Sequence, residues 1–225
     1  MKVTTDASVF GAFVPVEQAR TILDIGTGTG ILSLFTAQRS SAHIDAIEIE
    51  PNAAQQATLN AHNSPWPERI NVIQKDVRDY AKQCPTRYDV IITNPPFFTG
   101  STQNPNSQKS LARHNQHFPL SDLLSVTKQL LAAKGVTWIL LPLEEANACI
   151  SLCAVYNLAL IRYIQIRTSD LHTPHVAMIA LVHQEGDENR ATVTHEMFTV
   201  YTKHPNLSQE SAALFKDYYT KIRQA

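Results

Sequence analysis

The residues best suited to chemistry in this 225-residue chain are Asn94-Pro95-Pro96-Phe97, directly after the apolar run Tyr88–Thr93. An Asn amide oxygen accepts an N–H without carrying charge, and Pro95 offers a carbonyl on a backbone stiffened by Pro96. Phe97 adds a ring face. A planar amine is a poor nucleophile because its lone pair is delocalised. Two acceptors holding its hydrogens favour a pyramidal nitrogen whose lone pair points at an electrophile. The tetrapeptide therefore predicts group transfer to such an amine without a general base, with Asn94, Pro95, Pro96 and Phe97 as the catalytic residues. A rigid turn is the plainer alternative for the same four residues.

The electrophile is suggested by a second cluster, Asp24-Ile25-Gly26-Thr27-Gly28-Thr29-Gly30, which holds three of the seven glycines between a strand and a helix. Gly26, Gly28 and Gly30 let backbone approach a ligand closely, and the helix behind them offers free N–H groups. A dinucleotide fingerprint requires glycine at position 31, where Ile31 stands, so hydride transfer loses its motif. Asp24 would repel a pyrophosphate but attract the ammonium and sulfonium of S-adenosylmethionine. Glu48 lies near the 20-residue spacing at which an acid accepts ribose hydroxyls, although periodicity alone does not separate it from Glu50. Asp76 could accept the exocyclic amine of an adenine with Val77 packed on the base, or it could simply cap a helix.

These residues need a scaffold, and the chain alternates apolar runs with helical stretches as repeated β-α units do. Strands are expected at Thr21–Ile25, 43–49, 70–75, Tyr88–Thr93 and 136–141, with helices over 31–38, 52–61 and 121–133. Ser121 would cap the last of these helices and Gly135 would end it. The runs 158–166 and Val176–His183 leave no room for a helix between them and predict an antiparallel pair at a sheet edge. A final helix is expected over 209–222. The result is a single α/β domain, residues 1–225, with a doubly wound, mostly parallel, Rossmann-like sheet of seven strands. With central order 3-2-1-4, Asp24 to Gly30, Glu48, Asp76 and Asn94 fall at the carboxyl ends of four successive strands, where open sheets bind ligands.

Composition narrows the rest. Nineteen Lys plus Arg against 20 Asp plus Glu give a net charge of -1, so no global nucleic-acid signature exists. Segment 97–121 nonetheless contains no acid and carries Lys109, Arg113, His114 and His117, a long connection of the kind that serves as a functional loop. His114-x-x-His117 lacks further ligands, and no metal site is expected. The longest apolar stretch, 136–143, is broken by Pro142 and is far short of the ~20 residues a membrane span needs. The N-terminus does not read as a signal peptide, and Cys84, Cys149 and Cys153 form no C-x-x-C pair. A cytoplasmic protein with reduced thiols is expected, a monomer with no obligate protein partner.

At these residues the sequence resembles the class I S-adenosylmethionine-dependent methyltransferases with an Asn-Pro-Pro-aromatic motif. It is most similar to the bacterial tRNA1(Val) adenine-37 N6-methyltransferase family. The likeness runs through residues 1–6, DIGTGTGILSL at 24–34, NSPWPERINV at 63–72 and IITNPPFF at 91–98. It implies methyl transfer to adenine N6 in tRNA, with S-adenosylmethionine as cofactor. By the same resemblance Asp24, Gly26, Gly28, Gly30, Glu48 and Asp76 hold the cofactor, with Lys2 and Thr5 at its methionine end, and Asn94 to Phe97 hold the adenine; Val77 and Asn94 are also expected to border the cofactor. Lys109, Arg113 and His175 would meet RNA. The likeness begins at Met1, where the family has a further N-terminal segment, which implies an unusual start or an absent substrate-contacting piece. Val176 stands where the family often has Arg. Guanine N2 in ribosomal RNA and the side-chain amide of a release-factor glutamine present the same planar N–H₂ and are the alternative acceptors.

Overall fold

The computed structural model describes residues 4–95, 118–184 and 192–218. Helix α1 (Thr5–Phe13) precedes five β-α units: β1 (Thr21–Ile25), α2 (Ile31–Arg39), β2 (His43–Glu48), α3 (Pro51–His62), β3 (Ile70–Gln74), α4 (Val77–Gln83), β4 (Tyr88–Thr93), α5 (Leu120–Leu130), β5 (Leu131–Pro142) and α6 (Leu143–Cys153). There follow β6 (Leu158–Arg167), β7 (Val176–His183), β8 (Thr194–Thr199), the short pair β9 (Tyr201–Lys203) and β10 (Asn206–Leu207), and α7 (Gln209–Phe215).

The main sheet has the order β3-β2-β1-β4-β5-β7-β6-β8. Strands β1 to β5 are mutually parallel, as expected from the β-α alternation. Strand β7 runs antiparallel to both β5 and β6. The predicted antiparallel pair is present, but the count is eight strands rather than seven, because β8 adds outside β6 in parallel. The reason β8 escapes sequence reading is its composition: only Phe198 of THEMFT is buried, so the segment shows no run of apolar residues.

The apolar strand runs are explained by burial on both faces. Along β1, Ile22 points into one core with Val9, Phe10, Ile44 and Trp138, while Leu23 points into the other with Ile47, Ile91, Leu124 and Leu141. Helix α1 begins at Thr4, whose Oγ1 accepts the Ala7 N–H at 3.2 Å, and is buried from Ala7 to Ala12. Cys149 and Cys153 are free thiols on one buried side of α6, as their spacing predicts.

The fifth helix differs from expectation at both ends. It spans Leu120–Leu130 after Pro119, with no side-chain cap, so Ser121 does not cap it. Gly135 does not end it either: the chain is already strand, and the pairing with β4 shifts between Tyr88↔Leu131 and Val90↔Val136. Gly135 is required there because a Cβ would lie 2.7 Å from the Tyr88 carbonyl oxygen and 2.7 Å from Leu131 Cδ1. Backbone cannot yield cheaply. Gly135→Ala is therefore expected to cost about 1–3 kcal/mol of stability, read as a lower midpoint in urea unfolding; an unchanged midpoint would show that the irregular β5 start is plastic.

Candidate active site

The chemistry predicted from sequence converges at the carboxyl ends of β1, β2, β3 and β4. Strand β1 lies between β2 and β4, with Ile25 paired to Ile47 on one side and to Thr93 on the other. Thr93 Oγ1 donates to the Ile25 carbonyl at 2.9 Å, fixing the end of β4 to the start of the glycine loop. Asn94, half-buried, and Pro95, buried, come next. The catalytic candidates Pro96 and Phe97 lie outside the described residues, as do Lys2, Lys109 and Arg113.

The loop is shaped by left-handed glycines: Gly26, Gly28 and Gly30 have φ of 69, 58 and 86°. Side chains adopt this conformation only with strain. The Gly26 and Thr27 N–H groups both donate to the Ile47 carbonyl, at 2.9 and 3.0 Å. Helix α2 follows with Gly30 as its N-cap and no side-chain cap, and the Ser33 N–H of its first turn is directed at Asp24.

Asp24 is wholly buried. Its Oδ2 accepts Thr27 Oγ1 at 2.6 Å and Ser33 Oγ at 2.7 Å, while Oδ1 has no partner among the described residues. Desolvation raises its pKa to about 6 against the ordinary 3.8, opposed by the Thr27 and Ser33 hydrogen bonds and assisted by the nearby Glu48 charge. Thr27 and Ser33 were not singled out by the sequence reading. Their signal is position alone, a hydroxyl inside the loop and one on the first turn of α2.

Glu48 and Glu50, inseparable by periodicity, have different roles. Glu48 accepts the Gly28 N–H at 2.8 Å through Oε2 and the Glu50 N–H at 2.9 Å through Oε1, locking β2 to the loop. Each oxygen keeps acceptor capacity for a hydroxyl. Glu50 caps α3, accepting the Asn52 and Ala53 N–H groups. Asp76 is the cap of α4 and also receives the Arg78 guanidinium, with Nη2 at 2.5 Å from Oδ2. Those Arg78 bonds hold its pKa below the usual carboxylate value. Both Asp76 oxygens thus have partners already, and Val77 beside it is buried in the core.

Thr5 sits exposed at the start of α1, and the neighbouring Asp6 holds His175, whose Nε2 lies 3.2 and 3.1 Å from its two oxygens. His175, expected to meet RNA, is thus paired with an acid of α1. Trp66 packs partly against the first core and lines a groove of about 520 Å³ with Phe35 and Tyr218. A cavity of about 650 Å³ lined by Arg87, Lys128 and His183 lies at the amino ends of β4 and β5, opposite this site. Among the described residues no cluster fits a metal ion, and no helix is long and apolar enough to cross a membrane.

A buried acceptor without a partner, three left-handed glycines and a carboxylate with spare lone pairs fit S-adenosylmethionine, whose cationic donors and ribose need such groups. The wound sheet with this loop is the architecture of class I methyltransferases. A solved structure of a predicted O-methyltransferase from Agrobacterium tumefaciens overlays with a TM-score of 0.75 at 16% identity, covering 98% of this chain and all of that one. The family model of the methyltransferase small domain matches residues 3–139, and the chain belongs to that family. A relative from Shewanella loihica, named tRNA1(Val) (adenine(37)-N6)-methyltransferase, is 37% identical over 99% of this chain and 93% of its own length. One of the same name from Cytophaga hutchinsonii is 48% identical over 65% of this chain, which spans 63% of that relative.

The Asp24 geometry has a measurable consequence. Because its pKa is raised in the folded state, the protonated carboxyl contributes stability that is complete below pH 3.8 and is lost as pH rises through about 6. A shift of about two units corresponds to roughly 3 kcal/mol. In urea unfolding of the cofactor-free protein, Asp24→Asn should gain stability relative to the parent by up to that amount between pH 4 and 7. Parallel curves for the two proteins would mean that Asp24 titrates normally.

Proposed function

We propose that this protein transfers a methyl group from S-adenosylmethionine to N6 of an adenine in RNA, with adenine 37 in the anticodon loop of tRNA1(Val) as the substrate. The observation that carries this reading is the adjacency of Asn94 to the glycine loop across the β1–β4 pairing. Relatives covering nearly the whole chain are named for that reaction. These names favour adenine over guanine N2 or a glutamine amide.

When bound, S-adenosylmethionine supplies an electrophilic methyl group on a sulfonium. Gly26 to Gly30 and the first turn of α2 would hold its amino-acid end, Asp24 would supply the buried counter-charge, and Thr5 and Lys2 are the expected further contacts. Glu48 accepts the ribose hydroxyls through lone pairs its backbone bonds leave free. Val77 and the Asp76 carboxylate border the adenine side, although the Arg78 fork leaves Asp76 less acceptor capacity than the sequence alone suggested.

At the end of β4 the Asn94 amide oxygen and the Pro95 carbonyl accept the two N6 hydrogens of the target adenine. Those bonds turn the nitrogen lone pair out of the ring plane and toward the methyl group. Phe97 stacks on the base and Pro96 stiffens the turn, while Lys109, Arg113 and His175 meet the RNA backbone. The amine becomes acidic once methylated and releases its proton to water, so no buried base is needed. The same reading makes the protein a single-domain cytoplasmic monomer acting without an obligate partner, consistent with its three free thiols.

The test uses radiolabelled S-adenosylmethionine with unmodified tRNA, followed by nucleoside digestion and chromatography. Label in N6-methyladenosine is expected, with ribosomal RNA and release-factor protein unlabelled. Asn94→Ala should lower turnover about 100-fold or more, as loss of one transition-state hydrogen bond does, while leaving cofactor affinity within about threefold. Full turnover by that variant would overturn the bound-amine mechanism.

A further inference from the structure

Residues 168–175 connect β6 to β7 at the edge of the sheet that carries Asn94. Val176, the first residue of β7, pairs with Pro142 at the end of β5 and with Ile166 near the end of β6. This connection is held by its own bonds. Ser169 is buried, with Oγ 2.7 Å from His172 Nδ1, and its carbonyl accepts the His172 N–H at 3.0 Å. The Leu171 N–H donates to Ser169 Oγ at 3.3 Å. Arg167 bonds Asp170 and donates to Thr199 Oγ1 at 2.9 Å, and the Tyr201 N–H donates to the Thr168 carbonyl at 2.9 Å. His175 closes the far side on Asp6.

At the tip of this braced turn Leu171 is 93% exposed, more than any other large apolar side chain among the described residues. A solvated tip needs no leucine, and a structure that spends a buried serine and an ion pair on fixing the turn holds that leucine in one place. Two to three strand spacings separate the connection from the end of β4, about 10–14 Å. That separation is comparable to the length of a nucleotide, the distance over which a base swung about its backbone leaves its stack. The side chains beside Leu171 at the same rim, His172 and Thr173, are exposed hydrogen-bonding groups suited to sugar and phosphate.

We propose that Leu171 is an apolar wedge that enters the RNA base stack and fills the gap left when the target adenine swings out to Asn94. Inserted leucines of this kind lower the cost of unstacking and keep the displaced base from returning. The inference rests on the RNA-adenine reading above. It adds a positioning residue for the extrusion step, on an element that takes no part in holding the cofactor.

The experiment measures transfer to unmodified tRNA1(Val) transcript by the parent protein, Leu171→Ala and Leu171→Met. Parallel titrations use a transcript in which 2-aminopurine replaces the target adenine, so that unstacking reads as a rise in fluorescence. Leu171→Ala should lower kcat/KM at least about tenfold, equivalent to about 1.4 kcal/mol, and lose most of the fluorescence rise. Its melting temperature and S-adenosylmethionine affinity should match the parent, because the side chain packs against nothing. Leu171→Met, long and apolar, should recover to within about threefold of the parent. Parent-like turnover and fluorescence in Leu171→Ala would overturn the wedge alone, as would equal losses in the Ala and Met variants. A parent protein that transfers no methyl group to tRNA would overturn the RNA reading and the wedge together.

Discussion

A carboxylate taken wholly out of water at the end of β1 is the constraint around which the candidate site is built. Unpaired burial of an ionised Asp24 is costly, and Thr27 and Ser33 meet part of that cost, while Oδ1 has no partner among the described residues. Those hydroxyls stand on either side of Gly28 and Gly30, so satisfying Asp24 also dictates how the loop turns. The left-handed glycines then bring the Gly28 N–H to Glu48, which closes the loop onto β2. One desolvated acid thus couples two strands, the loop between strand and helix, and the first turn of α2. A cationic ligand at this point would relieve the remaining electrostatic cost, which links cofactor binding to the stability of the edge that carries it.

Much of this arrangement was legible in the sequence because its causes are local. Three glycines between an apolar strand and a helix have few conformational uses, and the β-α alternation fixes a parallel order that brings β4 beside β1. What escaped was decided by pairings in three dimensions that periodicity does not report. Nothing near Asp76 announces that Arg78 turns back onto it and also reaches Asp122 of α5 at 3.1 Å. Glu48 and Glu50 are distinguished only by which one faces Gly28 in three dimensions. Asp6 meets His175 across nearly the entire chain, a pairing no periodicity reports. Strand β8 is polar on most of its length and owes its existence to the free edge of β6, not to its own composition.

The two faces of the sheet show how the same kinds of side chain serve different purposes. On the face that carries Leu23, Asp45 of β2 accepts Tyr88 Oη at 2.6 Å, Tyr80 Oη at 3.1 Å and the Asn71 amide at 2.8 Å. Burial pushes both phenols up, so they remain neutral donors to that carboxylate. Both Asp45 oxygens are satisfied, and the cluster ties β2, β3, α4 and β4 together. Asp24, deeper and less fully bonded, pairs with Ala46 next to Asp45 and so lies on the opposite face of the sheet. An acid with every acceptor filled holds elements in place; one with an acceptor left over is poised for a ligand.

The Arg78 fork bears on how the adenine of the cofactor would be read. Its pairs with Asp76 and Asp122 are partly exposed, with side-chain accessibility of 38% for Arg78, so they contribute little net stability. Their value is geometric: they connect the end of β3 to the helix at which the chain returns after leaving the Asn94 turn. A charge-neutralised Asp76 is also a weaker acceptor for an exocyclic amine than a free carboxylate would be. Recognition of the base would then fall more heavily on backbone groups and on shape, while Glu48 and Asp24 would remain for the ribose and amino-acid ends. Affinity for the cofactor should accordingly depend more on Asp24 and Glu48 than on Asp76, although in sequence all three look like equivalent strand-end acids.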